Sequence, residues 1–345
     1  MSYQREFAKK LRVAIVGIGS HAYRNLLPAL NYLPVELVAI CNRSNLAMAE
    51  ATAAQYGCRS YQSTAEMYQK ENLDAVFLCT SPTAYPKMAI EAFAAGLHVW
   101  MEKPAAMHTE EVLQMIEQRK NKVALVGYKK AFMPATRKAI EIASSPQYGG
   151  LQSMLAVYPL EMPADGAKAL RENTSCDWLN NGCHPLSVLL SVGGKVDSVL
   201  SVPSKFNKGV HILQFKNGVV GNLHLASGPL PNEDYHFYAS KWHLHIDNTT
   251  RVILERGIPS EYGKTTSFIP QGDDTGAVVW EAQNSKATLE NKALFVQGIY
   301  DEMMYFCSCI LNNITPTTGS LEFALEIGKV YEALLVSKGN TIKIN

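Results

Sequence analysis

The chain has 345 residues, too many for one ordinary domain and comfortable for two. Hydrophobic residues make up 47% and charged residues 18%, the composition of a globular protein with a sizeable core. Lysine and arginine number 32 against 31 acidic residues, so no global field favours nucleic acid or an anionic membrane.

Residues 9–22 have the outline of a signal peptide, but the uninterrupted apolar run from Val13 to Val16 is too short for one. A strand, a turn and a helix start account for the whole stretch. No other segment approaches the roughly eighteen apolar residues of a membrane helix. The seven cysteines (41, 58, 79, 176, 183, 307 and 309) are odd in number and show no zinc spacing. Reduced thiols in a cytoplasmic protein are expected, and no metal site.

Apolar strands alternate with helical patterns over the first third. Strands are expected at 12–17, 37–41, 75–80, 98–101 and 123–126, with helices at 22–33, 46–56, 86–95 and 109–119. Strands spaced by helices need crossover connections, hence a parallel sheet covered on both faces. After about residue 149 the rhythm changes. Strands are expected at 151–158, 210–216, 219–227, 235–246 and 251–255, with a hairpin at Asn217-Gly218 and a main helix at 178–192. This is the pattern of a largely antiparallel sheet with helices on one side. Helical spacing returns at 291–311 and 321–337, and the weakly periodic stretch 257–286 reads as a long, functional excursion.

The first strand runs into Gly17-Ile18-Gly19-Ser20-His21-Ala22. Gly17 permits a sharp turn, Gly19 lets the backbone approach a pyrophosphate, and Ala22 allows close helix–sheet packing. Free N–H groups at the helix start, around Ser20 and His21, then face the phosphates. The second strand ends at Asn42-Arg43, where NAD sites usually place a carboxylate. A neutral amide and a cation suit a 2′-phosphate better, so NADP is expected ahead of NAD. About eighty residues on stands Glu102-Lys103-Pro104, which can hold a lysine at the carboxyl edge of the sheet, where a nicotinamide would lie.

These residues resemble the Gfo/Idh/MocA (glucose-fructose oxidoreductase / inositol dehydrogenase / rhizopine catabolism) family. Thr80-Ser81-Pro82-Thr83 is similar to that family's loop after the fourth strand, with Tyr85 near a position where histidine is common. The segment 95–104 is similar to its most diagnostic stretch, 127–134 to its strand into the second domain, and 178–184 to its catalytic helix. The resemblance implies an α/β fold. Residues 1–130 would be a Rossmann dinucleotide-binding domain with a doubly wound parallel sheet. Residues 131–345 would be an α+β domain with a large, mostly antiparallel open sheet for substrate binding and oligomerisation, its last helix packing back on the first domain.

The same resemblance implies that Lys103 lies beside the nicotinamide and bonds the reacting hydroxyl, with Glu102 pairing with it or orienting the loop. His184 matches the catalytic histidine, a proton acceptor titrating near neutrality. Many members carry aspartate four residues earlier; this chain has Asn180, an amide that can hydrogen-bond a substrate hydroxyl but not relay a proton. Lys129 and Arg171 can reach substrate from the domain edge or stand as solvated surface residues. The implied activity is hydride transfer between NAD(P) and a secondary alcohol or ketone of a sugar, sugar derivative or cyclitol, in a homodimer or homotetramer. A nicotinamide-retaining glycosidase and a non-enzymatic dinucleotide-binding regulator are the alternatives; retention of Lys103 with His184 argues against the regulator.

Overall fold

The computed structural model describes residues 7–228, 232–257, 263, 276–283 and 292–345. Six short strands form the first sheet: β1 (Leu11–Val16), β2 (Val35–Cys41), β3 (Arg59–Tyr61), β4 (Ala75–Leu78), β5 (His98–Glu102) and β6 (Ala124–Gly127). All pair in parallel, in the order β3-β2-β1-β4-β5-β6. The sequence reason is plain at β4 and β6, where every residue is buried, as a sheet covered on both faces requires. The order reverses between β1 and β4, so a crevice opens there beyond the strands' carboxyl ends.

The helix after β1 differs from the expected regular helix at 22–33. It begins as a π-helical turn, Ala22–Leu26, and runs into a short α-helix, Leu27–Leu30. Pro28 has no amide to give the Arg24 carbonyl, and Leu27 N bonds back five residues to Ala22 O instead. The crossover helices behave conventionally. Asn45 caps Leu46–Tyr56 by accepting from Met48 N, and Gly57 ends it at φ 68°.

The second sheet has nine strands among the described residues: β7 (Leu151–Pro159), β8 (Val196–Pro203), β9 (Gly209–Phe215), β10 (Val220–Ala226), β11 (Asp234–Ala239), β12 (Trp242–Asp247), β13 (Arg251–Glu255), β14 (Val278–Glu281) and β15 (Ile342–Lys343). Their order is β14-β13-β12-β11-β7-β10-β9-β8-β15, antiparallel throughout except for the parallel pair β7–β10. The expected single strand at 235–246 is a hairpin, turning at Ser240-Lys241 without a glycine or asparagine to announce it. The excursion at 257–286 lies outside the described residues except at 257, 263 and 276–283. There β14 extends the sheet edge.

Helix Cys183–Gly193 covers the inner face of this sheet. A Cβ at Gly193 would stand 2.5 Å from Met154 Cε and 2.7 Å from Phe215 Cε1, so a larger residue there would require those side chains to shift. Helix Leu321–Ser337 spans both sheets. Its Glu332 accepts from Thr109 N (2.8 Å) and Oγ1 (2.9 Å), and its Glu322 takes a two-pronged bond from Arg119 (2.7 and 3.0 Å). Tyr331 O accepts from Trp178 Nε1 at 3.4 Å on the other side. Among the described residues no helix is long and apolar enough to cross a membrane.

A buried histidine and a half-buried one should make the fold acid-sensitive. His211, fully buried and stacked on Trp178, is pushed down to about 4 by burial and by His224. His98, whose Nδ1 accepts from Val123 N at 2.8 Å, is lowered to about 4 by burial and Lys122. Both native values lie below the unfolded value of about 6.5, so the unfolded chain binds more protons between them. The stability contribution is complete above about 6.5 and is lost as pH falls toward 4. The melting temperature should therefore drop between about pH 7 and about pH 5, and drop less in His211→Leu. An unchanged slope in that variant would place the acid sensitivity elsewhere.

Candidate active site

The glycine turn is fixed by its neighbours. Gly17 has φ 88°, and a Cβ there would lie 2.3 Å from Cys79 O and 2.7 Å from Thr80 Cγ2. Turn and β4 loop are thus pressed together, which only glycine allows. At Gly19 an added Cβ would meet no atom within 4 Å. Its exposed backbone, with Ser20 and His21 opening the helix and Ala22 fully buried behind them, fits a pyrophosphate cradle at the switch point. At the end of β2, Asn42 is buried, its Oδ1 accepting from Ser44 Oγ at 3.2 Å. Arg43 is exposed, and its carbonyl accepts from Gln62 Nε2 at 3.1 Å.

Tyr85 anchors the loop carrying Thr80, Ser81 and Pro82. Its buried hydroxyl accepts from Thr80 N at 3.1 Å and donates to Thr80 O at 3.0 Å. Burial pushes the phenol's pKa far up, so it stays a neutral donor. Ser81 and Thr83 hydroxyls meet above it at 2.9 Å.

Lys103 follows β5 directly, and its Nζ donates to the backbone carbonyl of Asn180 at 2.8 Å. Buried Glu102 faces two ways: Oε2 accepts from Lys103 N at 3.1 Å, and Oε1 lies 2.6 Å from His21 Nε2. The carboxylate therefore ties the glycine turn to the lysine. His184 occupies the first turn of helix Cys183–Gly193, buried, with Nδ1 lacking a partner among the described residues. Burial holds its pKa well below the ordinary imidazole value, with Lys103, Lys129, Lys130 and His21 adding to the effect. Lys129, just after β6, donates to Gln297 Oε1 at 2.6 Å, and burial, then Lys130, lowers its pKa. His21, Thr80, Lys103, Lys129, Asn181 and His184 line one cleft of about 420 Å³.

Two expected residues stand differently. The Asn180 side chain turns to Ser175 Oγ (3.0 Å), and it is the backbone carbonyl that meets Lys103; neighbouring Asn181 lines the cleft instead. Gly182, itself in helical conformation, joins helix Asp177–Asn181 to Cys183–Gly193, and a Cβ there would lie 2.4 Å from Trp178 Cε3. Arg171 ends helix Gly166–Arg171, exposed and outside the cleft lining.

Sequence reasoning passed over two buried groups beside the cleft. Lys130 donates to Glu233, which also accepts from Tyr235 OH at 2.7 Å; the Lys129-Lys130 pair was the available signal. Glu302, in helix Ile299–Leu311, is buried behind Gly127, and burial, then Glu102, raises its pKa well above the ordinary value. Its spacing from Ile299, Phe306 and Cys309 places it on the buried stripe of its helix, and that was the available signal.

Residues 11–129 match the model of an oxidoreductase family with an NAD-binding Rossmann fold. The dTDP-3,4-didehydro-2,6-dideoxy-alpha-D-glucose 3-reductase of Saccharopolyspora spinosa is 26% identical over 267 residues, 74% of this chain and 78% of that protein. The UDP-N-acetylglucosamine 3-dehydrogenase of Acidithiobacillus ferrooxidans is 25% identical over 217 residues, 62% of this chain and 66% of that one. In fold, an oxidoreductase from Agrobacterium radiobacter, solved with NAD+, L-tartaric acid and magnesium, superposes with a TM-score of 0.80 at 14% identity, covering 97% of this chain and 99% of the other. A glycine turn at the switch point, a lysine directly after β5 and these likenesses agree: the chain is an oxidoreductase whose residues 11–129 are similar to the NAD(P)-binding Rossmann domain of the Gfo/Idh/MocA family.

Proposed function

We propose that this enzyme is an NADP-dependent dehydrogenase or reductase acting on a secondary alcohol or ketone of a sugar, sugar derivative or cyclitol. The carrying observation is the convergence of Lys103, His184 and Lys129 on one cleft beside the glycine turn. The nucleotide-sugar names of the relatives support the substrate class. A bound nicotinamide dinucleotide would supply the hydride acceptor or donor, held by Gly17, Gly19, Ser20, His21 and Ala22 on one side and by Thr80, Ser81, Pro82 and Glu102 on the other. Lys103 Nζ would donate to the reacting oxygen and stabilise its developing negative charge. His184, neutral at physiological pH, would take up the hydroxyl proton during oxidation and return it during reduction. Lys129 would hold a second substrate oxygen, and Asn181, rather than the Asn180 amide, would meet the sugar.

Residues 1–130 would bind the dinucleotide and 131–345 the substrate, and seven unpaired cysteines favour a reducing compartment, the cytoplasm. The open face of the nine-stranded sheet exposes Val202, Val220, Tyr238 and Val279, which supports pairing with a second copy of the chain, as dimer or tetramer. Screening sugars, inositols and sugar nucleotides for absorbance change at the nicotinamide band, with each cofactor, tests the reading. A panel with no turnover under either cofactor, alongside tight dinucleotide binding, would favour a regulator. Product formed without net cofactor reduction would favour a glycosidase.

Cofactor choice rests on exposed Arg43 and on a β2 end that carries Asn42 rather than a carboxylate. NADPH should bind more tightly than NADH, and Arg43→Ala should erase most of the difference, since a charge-assisted phosphate contact contributes about 1.5–3 kcal/mol. Fluorescence titration with both nucleotides checks this; equal affinities in the native protein would refute the NADP assignment and leave the fold untouched.

A further inference from the structure

Three of the chain's nine histidines fall within ten residues, on the hairpin β11–β12. Asp234, His236 and Tyr238 share one face of β11, and His243, His245 and Asp247 the same face of β12, with His236 directly opposite His245. The His236 and His245 rings stack with centroids 4.3 Å apart and planes within 9°. Asp234 Oδ1 lies 2.8 Å from His245 Nε2. Behind them a second line of groups holds His236 in place: its Nδ1 is 3.0 Å from His243 Nε2, and His243 Nδ1 is 2.7 Å from Glu255 Oε2.

We infer that Asp234, His236 and His245 form a binding site for a divalent transition cation of the zinc class. One ligand atom from each residue already lies within 4.8 Å of the other two. Ligand atoms around a tetrahedral zinc ion stand about 3.3 Å apart, given bond lengths of about 2.0–2.2 Å. Closing that gap requires rotation of the side chains, which stand on two adjacent strands. Two imidazoles and one carboxylate select zinc, cobalt or nickel over magnesium or calcium, which prefer oxygen. The cation would replace the proton now between Asp234 and His245, and the other imidazole nitrogen of His245 would carry the hydrogen. The Glu255–His243–His236 line supplies the outer hydrogen bonding that orients a ligating imidazole. Asp234 and His245 side chains keep 43% and 23% exposure in the single chain, which leaves a remaining coordination position for water or for a group of a second copy paired across this face.

Cobalt(II) is the probe, titrated into the tag-free full chain after chelator treatment and dialysis and followed by visible absorption. One saturable equivalent per chain is expected, with the intense bands of low-coordinate nitrogen and oxygen ligation. His236→Gln/His245→Gln should abolish the saturable signal. His243→Gln, which keeps all three ligands, should weaken binding by about tenfold. Zinc should raise the melting temperature of the native protein and leave that of Asp234→Asn unchanged, a readout valid even where the double variant folds poorly. No saturable band in the native chain, a band unchanged in the double variant, or a sulfur-to-metal charge-transfer band from cysteine ligation would each overturn the assignment.

Discussion

Lys103→Met should lower turnover by about 10²-fold or more while dinucleotide affinity stays within a few-fold. Methionine keeps the apolar stem and removes the ammonium group, so the loss falls on the charge developing at the reacting oxygen. One structural bond goes with it, Nζ to the Asn180 carbonyl at 2.8 Å. A single bond of that kind contributes only about 0.5–1.5 kcal/mol to stability, too little to explain a hundredfold loss at unchanged folding. Single-turnover rates on an identified substrate, with nucleotide affinity from fluorescence quenching, separate the two contributions. Near-native turnover would make the lysine a tie between β5 and helix Asp177–Asn181, and the chemistry would belong elsewhere.

His184→Ala should lower turnover in the oxidising direction by about 10²–10⁴-fold, the range for a general base. The pH dependence is the sharper test. Sequence alone suggests titration near neutrality, but burial and the cationic groups around the ring hold the native pKa well below the ordinary value. The accepting, neutral form is therefore fully populated at pH 7. In the native enzyme kcat/KM should be flat through neutrality and fall only as pH drops through that depressed value. His184→Ala should lose the acid limb along with the rate. Should the limb persist, a tyrosine or Lys103 itself handles the proton, and His184 is a packed core residue.

The parts of this molecule that sequence reveals are those where one residue type is compulsory. Gly17 cannot be replaced without striking Cys79 O, and β4 admits only apolar side chains, so turn and strand carry an unmistakable pattern. The 239–242 turn is different. Ser240-Lys241 adopts its conformation because the flanking strands pair, and the unbroken alternation on both sides disguises the reversal. The Pro28 distortion was legible in principle, since a proline inside a helix must cost a hydrogen bond. Asn180 and Asn181 could not be told apart by spacing: they stand four and three residues before His184, and it is the Ser175 hydroxyl that draws the Asn180 amide away. Glu302 was legible in principle, since it stands at helical spacing from the apolar Ile299, Phe306 and Cys309.

Helix Leu321–Ser337 has a bearing on how the cleft can move. Lys103 comes from the edge of one sheet and His184 from a helix lying on the other, so their separation would be the natural variable of an opening jaw. The Thr109–Glu332 and Arg119–Glu322 bonds fasten the strut to one jaw, and the Trp178–Tyr331 bond fastens it to the other. Swinging the sheets apart would break the fastenings on one side of the strut or the other. With both jaws fastened to one strut, the separation of Lys103 and His184 would be a fixed gauge against which a substrate is measured.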